Sequence, residues 1–142
     1  MAIRTSEALW EGDLMQGKGS MKLGSGAYQG AYSFQSRFED GKGTNPEELI
    51  AAAHAGCFSM ALSHTLAEAG FPPKSVHTKA NVHLEKVPGG FEIPKIDLIC
   101  EARIQGIDDA KFQELAKQAK EGCPVSKVLA GAEINLEAKL VV

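Results

Sequence analysis

The chain has 142 residues, which is enough for one domain that removes roughly 70% of its extended-chain surface from solvent. Its 15 basic and 18 acidic residues give a formal net charge of −3, and no basic run occurs, which argues against nucleic acid or an anionic membrane as a partner. The N-terminal segment has no apolar stretch of the signal-peptide type, so we expect a cytoplasmic protein. We therefore predict a single cytoplasmic domain over residues 1–142.

The residue pattern in the first third of the chain predicts strands. Residues 5–12 and 18–23 are short segments with Gly and Asp between them, typical of a hairpin to which Trp10 adds a large apolar contact. Residues 28–39 alternate between aromatic and polar side chains, and this period of two predicts a further strand. Arg37 would then leave the sheet just before the polar loop that leads to residue 44.

The sequence predicts one long helix over residues 44–70. Asn45 suits the N-cap, Pro46 suits the first helical position, Glu48 stands where a capping box has its carboxylate, and Gly70 ends the helix. No charged residue occurs between positions 49 and 67. No face of the helix is therefore made for water, and we expect it to be enclosed. A membrane span is the disfavoured alternative, since Ala, Gly, Ser, Thr and two His make the stretch weakly apolar.

The second half of the chain predicts a hairpin, two helices and a last strand. Residues 76–86 and 91–105 alternate and are joined by a Pro-Gly-Gly turn, as in an antiparallel pair. Asp108 caps a helix that runs to about Glu121, and Cys123-Pro124 opens a short helical turn. Residues 132–142 form the final strand. The predicted fold class is α+β, with an antiparallel β-sheet packed on the long helix.

The three cysteines occupy different settings. Cys57 lies inside the uncharged helix after Gly56, which leaves space beside the sulfur, although a small buried hydrophobe is the alternative interpretation. Cys123 precedes Pro124 at a helix N-terminus, where free N–H groups favour a thiolate, although it could serve simply as an N-cap. Cys100 alternates with apolar strand residues and is predicted to lie in the core. An odd number of well-separated cysteines indicates chemistry or burial before a disulfide framework.

Cys57 needs a cation from elsewhere in order to ionise, because it lies too far along the helix for the terminal dipole to lower its pKa. Arg37 is the natural candidate, and Glu47 at the start of the helix could hold the guanidinium in a bidentate contact. The alternatives are a solvated strand residue for Arg37 and a partner of the helix dipole for Glu47.

Four histidines raise the question of a metal. His54 and Cys57 share a helix face, but two ligands do not make a site and no second closely spaced pair occurs. We therefore predict no metal and no cofactor. A Cys/His hydrolase or thiol transferase is disfavoured as well, because His54 could act on Cys57 but no third, orienting group is evident.

Six segments carry a recognisable pattern: WEGD at 10–13, GKG at 17–19, RFE at 37–39, GTNPEELI at 43–50, AAHAGCFSMAL at 52–62 and GCPVS at 122–126. Through these segments the sequence resembles a known family, the OsmC/Ohr family, and within it the osmotically inducible protein C branch. The likeness covers nearly the whole chain.

The resemblance implies a thiol peroxidase that reduces organic hydroperoxides and forms an intertwined homodimer, with sheets that wrap central helices. It implies that Cys57 is the peroxidatic and Cys123 the resolving cysteine, joined in a redox-active disulfide, and that Arg37 and Glu47 stabilise the thiolate. Because Glu47 and Cys57 are roughly 15 Å apart along one helix, at about 1.5 Å per residue, we also predict that the active sites of the dimer are shared between subunits. The implied reductant is a dithiol, carried by a dihydrolipoyl protein. The alternative is a non-enzymatic stress-response protein whose dimer binds an apolar ligand.

Overall fold

The computed structural model describes all residues 1–142. The chain divides into two compact units, Met1–Leu49 and Ile50–Val142. Together they contain six strands and four helices in an α+β arrangement, as the sequence predicts.

The first unit is a small antiparallel sheet followed by a short helix. Strands β1 (Ser6–Glu11), β2 (Lys18–Leu23) and β3 (Gln29–Tyr32) lie in that order in the sheet. The predicted first hairpin is thus confirmed. The Trp10 and Tyr32 rings lie 5.3 Å apart. Gly19 lies between the two rings, where an added Cβ would come within 2.6 Å of each. Only glycine fits there without moving an aromatic side chain.

The prediction of a strand over residues 28–39 is wrong beyond Tyr32. Residues Phe34–Phe38 form a one-turn helix, α1. Ser33 begins it with a reciprocal capping box, in which the Ser33 hydroxyl accepts from the N–H of Ser36 and the Ser36 hydroxyl accepts from the N–H of Ser33. These local hydrogen bonds satisfy the backbone donors of a helix start and override the alternating pattern. Arg37 consequently lies in the last turn of a helix rather than on a strand.

The long helix α2 (Pro46–Glu68) is confirmed within two residues of each predicted end. The Asn45 side chain accepts from the N–H of Glu48 at 2.7 Å, as expected of an N-cap. The Glu48 carboxylate differs from the prediction, because it accepts from the Thr44 hydroxyl at 3.3 Å instead of closing a capping box. After the helix, Gly70 has φ +91°, a left-handed conformation that favours glycine.

The second unit contains the rest of the chain from Ile50. Strand β4 (Ser75–Val87) pairs with β5 (Gly90–Arg103) in the predicted antiparallel hairpin. Helix α3 (Asp109–Gly122) begins at the Asp108 cap, and α4 (Pro124–Val128) follows Cys123. The last strand, β6 (Glu133–Val141), pairs with β5 in parallel, which the predicted antiparallel sheet did not include. The reason is the connection, because α3 and α4 carry the chain back so that β6 runs in the same direction as β5.

The core of the second unit is formed by one face of α2, by β5 and by α3. Its largest members are Phe58, Leu62, Leu66, Ile96, Leu98 and Phe112. The members from α2 recur every four residues and so line one side of the helix. Cys100 lies among the core residues with 1% exposure, as predicted.

The other side of α2 is exposed in the single chain, although the sequence predicts an enclosed helix. Its exposed residues are Ala52, Ala53, Gly56, Met60, His64 and Ala67. Met60 alone has 77% of its surface accessible. By length and composition α2 is also apolar enough to cross a membrane, a property that it shares with core helices of soluble proteins. The second unit therefore leaves an uncharged helix face, which we call the α2 stripe, without a covering element of its own.

Candidate active site

Two cysteines meet in the second unit. Cys57 is half-buried on α2 beside core residue Phe58. Cys123 is fully buried at the junction of α3 and α4. Its N–H closes α3 by donating to the carbonyl of Ala119 at 2.9 Å, and its sulfur accepts from the N–H of Ser126 at 3.4 Å to begin α4. The two Sγ atoms lie 2.9 Å apart although the residues are 66 positions apart in the sequence. Both are free thiols, and this thiol pair is placed for reaction between its members.

The two thiols have opposite tendencies to ionise. Burial raises the pKa of Cys57, and the hydrogen bond with Cys123 raises it further. Burial acts in the same direction on the pKa of Cys123, but hydrogen bonds with Cys57 and Ser126 outweigh it, so the pKa of Cys123 is lowered. Within a single chain, the negative charge is therefore favoured at Cys123. A thiolate at Cys57 requires a positive charge brought close to its sulfur.

A buried hydrogen bond continues from the thiol pair. His54 Nε2 lies 2.7 Å from Ser126 Oγ, and His54 is fully buried. Burial lowers the pKa of His54, so the ring is neutral near pH 7. The sequence indicated His54 as a possible base for Cys57, but the hydrogen bond that the structure gives its Nε2 is with Ser126. Ser126 was not singled out by sequence, and its only signal was its place in the Gly-Cys-Pro-Val-Ser segment.

Arg37 and Glu47 meet in the first unit. The guanidinium donates from Nε and from one terminal nitrogen to the two carboxylate oxygens of Glu47, at 3.0 and 2.9 Å. The Arg37 guanidinium also lies 5.2 Å from the centre of the Phe38 ring. Glu47 retains only 7% exposure, so its partner is needed to offset the loss of hydration. The predicted bidentate contact between these two residues is present, and we call it the ion pair.

A cavity of about 240 Å³ adjoins this arginine. Its lining is aromatic and apolar apart from Ser33 and Arg37, and consists of Trp10, Leu14, Tyr32, Ser33, Phe34, Arg37 and Phe38. A pocket of this character suits an apolar group next to one cationic donor. We call it the aromatic pocket.

The four predicted site residues thus form two contacts, each within one unit. Cys57 contacts Cys123 in the second unit, and Arg37 contacts Glu47 in the first. The predicted contact of Arg37 with Cys57 remains a prediction.

Comparisons with known proteins agree with the resemblance noted in the sequence. Residues 39–139 match the family described as OsmC-like protein. The chain is 54% identical, over 96% of both chains, to a protein of Escherichia coli K12 named Peroxiredoxin OsmC. It is 36% identical to Organic hydroperoxide resistance protein OhrB of Bacillus subtilis over 68% of this chain and 71% of that protein.

The fold matches as well. The crystal structure of the organic hydroperoxide resistance protein OhrB of Bacillus subtilis superposes with a TM-score of 0.69, at 28% identity, over 96% of this chain and 98% of that chain.

Proposed function

The chain belongs to the OsmC-like protein family, and we propose from this that it is a cysteine-based peroxidase that reduces organic hydroperoxides to alcohols. The names of its relatives, a peroxiredoxin and an organic hydroperoxide resistance protein, support a peroxidase-type role. The observation that carries the proposal is the separation of 2.9 Å between two free thiols, one of which is only half-buried.

The proposed reaction begins at Cys57. Its thiolate attacks one peroxide oxygen, the O–O bond breaks, and the alkoxide leaves and takes a proton to become the alcohol. Cys57 is then a sulfenic acid. The Cys123 thiolate attacks that sulfur, the S–O bond breaks, and the oxygen leaves as hydroxide and is protonated to water. An external dithiol, which we propose is a dihydrolipoyl group, reopens the resulting disulfide.

The cation for Cys57 comes, in this proposal, from the ion pair of a second subunit. Glu47 and Cys57 are ten residues apart on α2, and at about 1.5 Å per residue the rise between them is roughly 15 Å. An arginine held by Glu47 cannot also reach the Cys57 of its own helix. In an intertwined homodimer the ion pair of one subunit can approach the partner's Cys57. The active site would then be shared between subunits.

The α2 stripe supports the same assembly. An uncharged helix face with Met60 at 77% exposure is unusual on the surface of a soluble protein. A second copy of the chain packed across α2 would cover this face and bring the start of one helix near the middle of the other. The prediction that α2 is enclosed would then hold for the dimer.

The aromatic pocket supports an organic substrate. Its rings would contact the alkyl or aryl group of a hydroperoxide while Arg37 binds the peroxide oxygens. Hydrogen peroxide has no such group and gains nothing from these contacts, so we expect the enzyme to prefer organic hydroperoxides.

A thiol count tests the proposal. Reduced protein is treated with one equivalent of an alkyl hydroperoxide per subunit, and free thiols are then counted under denaturing conditions. We expect the loss of two thiols per subunit. Mass spectrometry should then show the peptide that contains Cys57 joined by a disulfide to the peptide that contains Cys123. Cys100→Ala is the matched control and should also lose two. No loss of thiols would favour a non-enzymatic protein that binds an apolar ligand.

A further inference from the structure

Four side chains form a continuous series inside the second unit. His54 Nε2 lies 2.7 Å from Ser126 Oγ, and the Sγ atoms of Cys123 and Cys57 lie 2.9 Å apart. Ser126 links the two ends, since its N–H donates to the Cys123 sulfur at 3.4 Å and its side chain helps to lower the pKa of Cys123. His54, Ser126 and Cys123 are all buried. Of these four residues, the proposed mechanism uses the two cysteines and leaves the histidine and the serine without a role.

The other ring nitrogen of His54 fixes the direction of these hydrogen bonds. Nδ1 is buried and has no hydrogen-bond partner. A neutral imidazole carries one N–H, and an unpaired buried N–H is rarer in proteins than an unpaired acceptor. We therefore assign the proton to Nε2, which donates to Ser126 Oγ. The Ser126 hydroxyl hydrogen is then left to point at the Cys123 sulfur.

We propose that His54 is a positioning residue, which holds the Ser126 hydroxyl as a hydrogen-bond donor to Cys123 and thereby sets the reactivity of the resolving thiol. This inference rests on the proposed function, in which Cys123 closes the disulfide. With Nε2–H bonded to its oxygen, the hydroxyl cannot rotate to donate to His54 instead. Without His54, nothing in this series keeps the serine hydrogen on the sulfur.

The series would act in both thiol steps. In closing, the Cys123 thiolate attacks the sulfenic sulfur of Cys57, and hydroxide leaves as the S–O bond breaks. In reopening, a thiolate of the external dithiol attacks Cys57 Sγ, and the electron pair of the broken S–S bond stays on Cys123. The hydrogen bond from Ser126 stabilises Cys123 as a thiolate, so it enlarges the reactive fraction in closing and improves the leaving group in reopening.

The titratable groups that face Cys123 are few, so its titration can be interpreted. From α2 these are the Cys57 thiol and, through Ser126, the His54 ring. From α4 the Ser126 side chain and the N–H groups of Ser126 and Val125 act on its pKa, and no charged side chain contributes. In a Cys57→Ser background, Cys123 therefore titrates without its coupled partner.

The first test measures alkylation of Cys123 by iodoacetamide against pH, in the Cys57→Ser background. His54→Met keeps a similar volume but removes the donor, and Ser126→Ala removes the hydroxyl with the smallest change in packing. Each should raise the alkylation midpoint by about one pH unit, equivalent to a tenfold smaller thiolate fraction near neutral pH. His54→Gln retains an N–H at a similar reach and should restore part of the shift. Unchanged midpoints in His54→Met and Ser126→Ala would overturn the proposal.

A double variant separates positioning from packing. If His54 acts through Ser126, His54→Met should add little to the midpoint shift of Ser126→Ala. A fully additive shift would show that His54 acts by another route and would overturn the proposal. This readout needs no peroxide, so it tests the series even if the thiol count refutes the peroxidase.

The second test follows the steps of turnover in protein with both thiols present. After one equivalent of alkyl hydroperoxide, Ser126→Ala should form the sulfenic acid at least as fast as the unmodified protein but close the disulfide about tenfold more slowly at pH 7. The difference in closure rate should shrink as the pH rises, because Cys123 then ionises without the hydrogen bond from Ser126. Closure at the unmodified rate would contradict the proposal.

Discussion

The thiol pair and the ion pair are assembled in different ways. The thiol pair joins α2 to the junction of α3 and α4, and Cys123 and the α2 residue next to Cys57 belong to the hydrophobic core. The ion pair joins residues ten positions apart, each at the end of a helix with its own local cap. The first contact therefore depends on the tertiary packing of the second unit, whereas the second depends on local structure.

The chemistry of the two pairs differs in the same way. The ion pair joins a guanidinium to a carboxylate that is nearly buried, so its two charges offset each other. In the thiol pair, Cys123 is buried and Cys57 is half-buried. No cation is among the groups that shift their two pKa values, so no positive charge offsets the rise in the pKa of Cys57. The proposed nucleophile and its proposed cation therefore lie in separate units. Substitutions can therefore damage one without disturbing the fold of the other.

The largest effect is expected from removing the nucleophile itself. Cys57→Ser should abolish hydroperoxide reduction, because a serine hydroxyl at this half-buried position does not ionise near neutral pH. Activity is measured as alcohol formed with a dithiol reductant.

Cys123→Ser should instead consume about one equivalent of peroxide and stop at a sulfenic acid that dimedone traps. Turnover of Cys123→Ser with dithiol at the unmodified rate would remove Cys123 from the mechanism.

Changing the cation should have the next largest effect. Arg37→Lys keeps the charge but loses the planar fork that binds Glu47 through two nitrogens. We expect the peroxide step to slow roughly tenfold, the equivalent of one charge-assisted hydrogen bond of about 1.5 kcal/mol. The pKa of Cys57, measured by alkylation against pH, should rise in the same variant. An unchanged pH profile of alkylation would show that Arg37 does not lower the pKa of Cys57.

Mixed dimers test how the two pairs come together, and the expected change is a factor of two. A Cys57→Ser subunit is combined with a Glu47→Ala subunit, and the isolated heterodimer is assayed. If sites are shared, one site carries both defects and the other none, so about half of the activity returns.

The matched control for the mixed dimer places both substitutions in one subunit and pairs it with an unmodified one. Shared sites then carry one defect each, and the activity should stay at the level of the defective homodimers. The opposite pattern in the two heterodimers would place nucleophile and ion pair in the same subunit.

The smallest effect is expected at the cysteine outside both pairs. Cys100 is buried in β5, and burial raises its pKa, so it is a neutral thiol with a packing role. Cys100→Ala should leave activity unchanged and lower the free energy of unfolding by on the order of 1 kcal/mol, for the deleted sulfur. Urea unfolding measures the loss. A drop in peroxide reduction without a drop in stability would contradict the packing role.

Sequence predicts the parts of this fold that depend on local signals. The cap at Asn45, the uncharged run of α2 and the alternation of β4 and β5 each gave the correct element. The prediction of a strand through Arg37 is wrong because two serines cap a short helix there, a signal only four residues long. The parallel pairing of β6 could have been inferred from the helices between β5 and β6, since such a crossover is what parallel strands need.

The candidate site shows the same limit. Cys57, Cys123, Arg37 and Glu47 could be named from their neighbours in sequence, and the contact between Arg37 and Glu47 spans a short loop. The bond of His54 to Ser126 joins positions 72 residues apart, and no local pattern encodes it. This hydrogen bond depends on α4 lying against α2.

The long sequence separation of the two thiols has a consequence for the unfolded chain. A disulfide between residues 66 positions apart closes a large loop, and the lost chain entropy of the unfolded state corresponds to about 4 kcal/mol of stabilisation. In each catalytic cycle, a subunit would therefore alternate between a more heat-resistant form with the disulfide and a less heat-resistant form without it. The melting temperature of the protein would then report whether its thiol pair is oxidised, without any label.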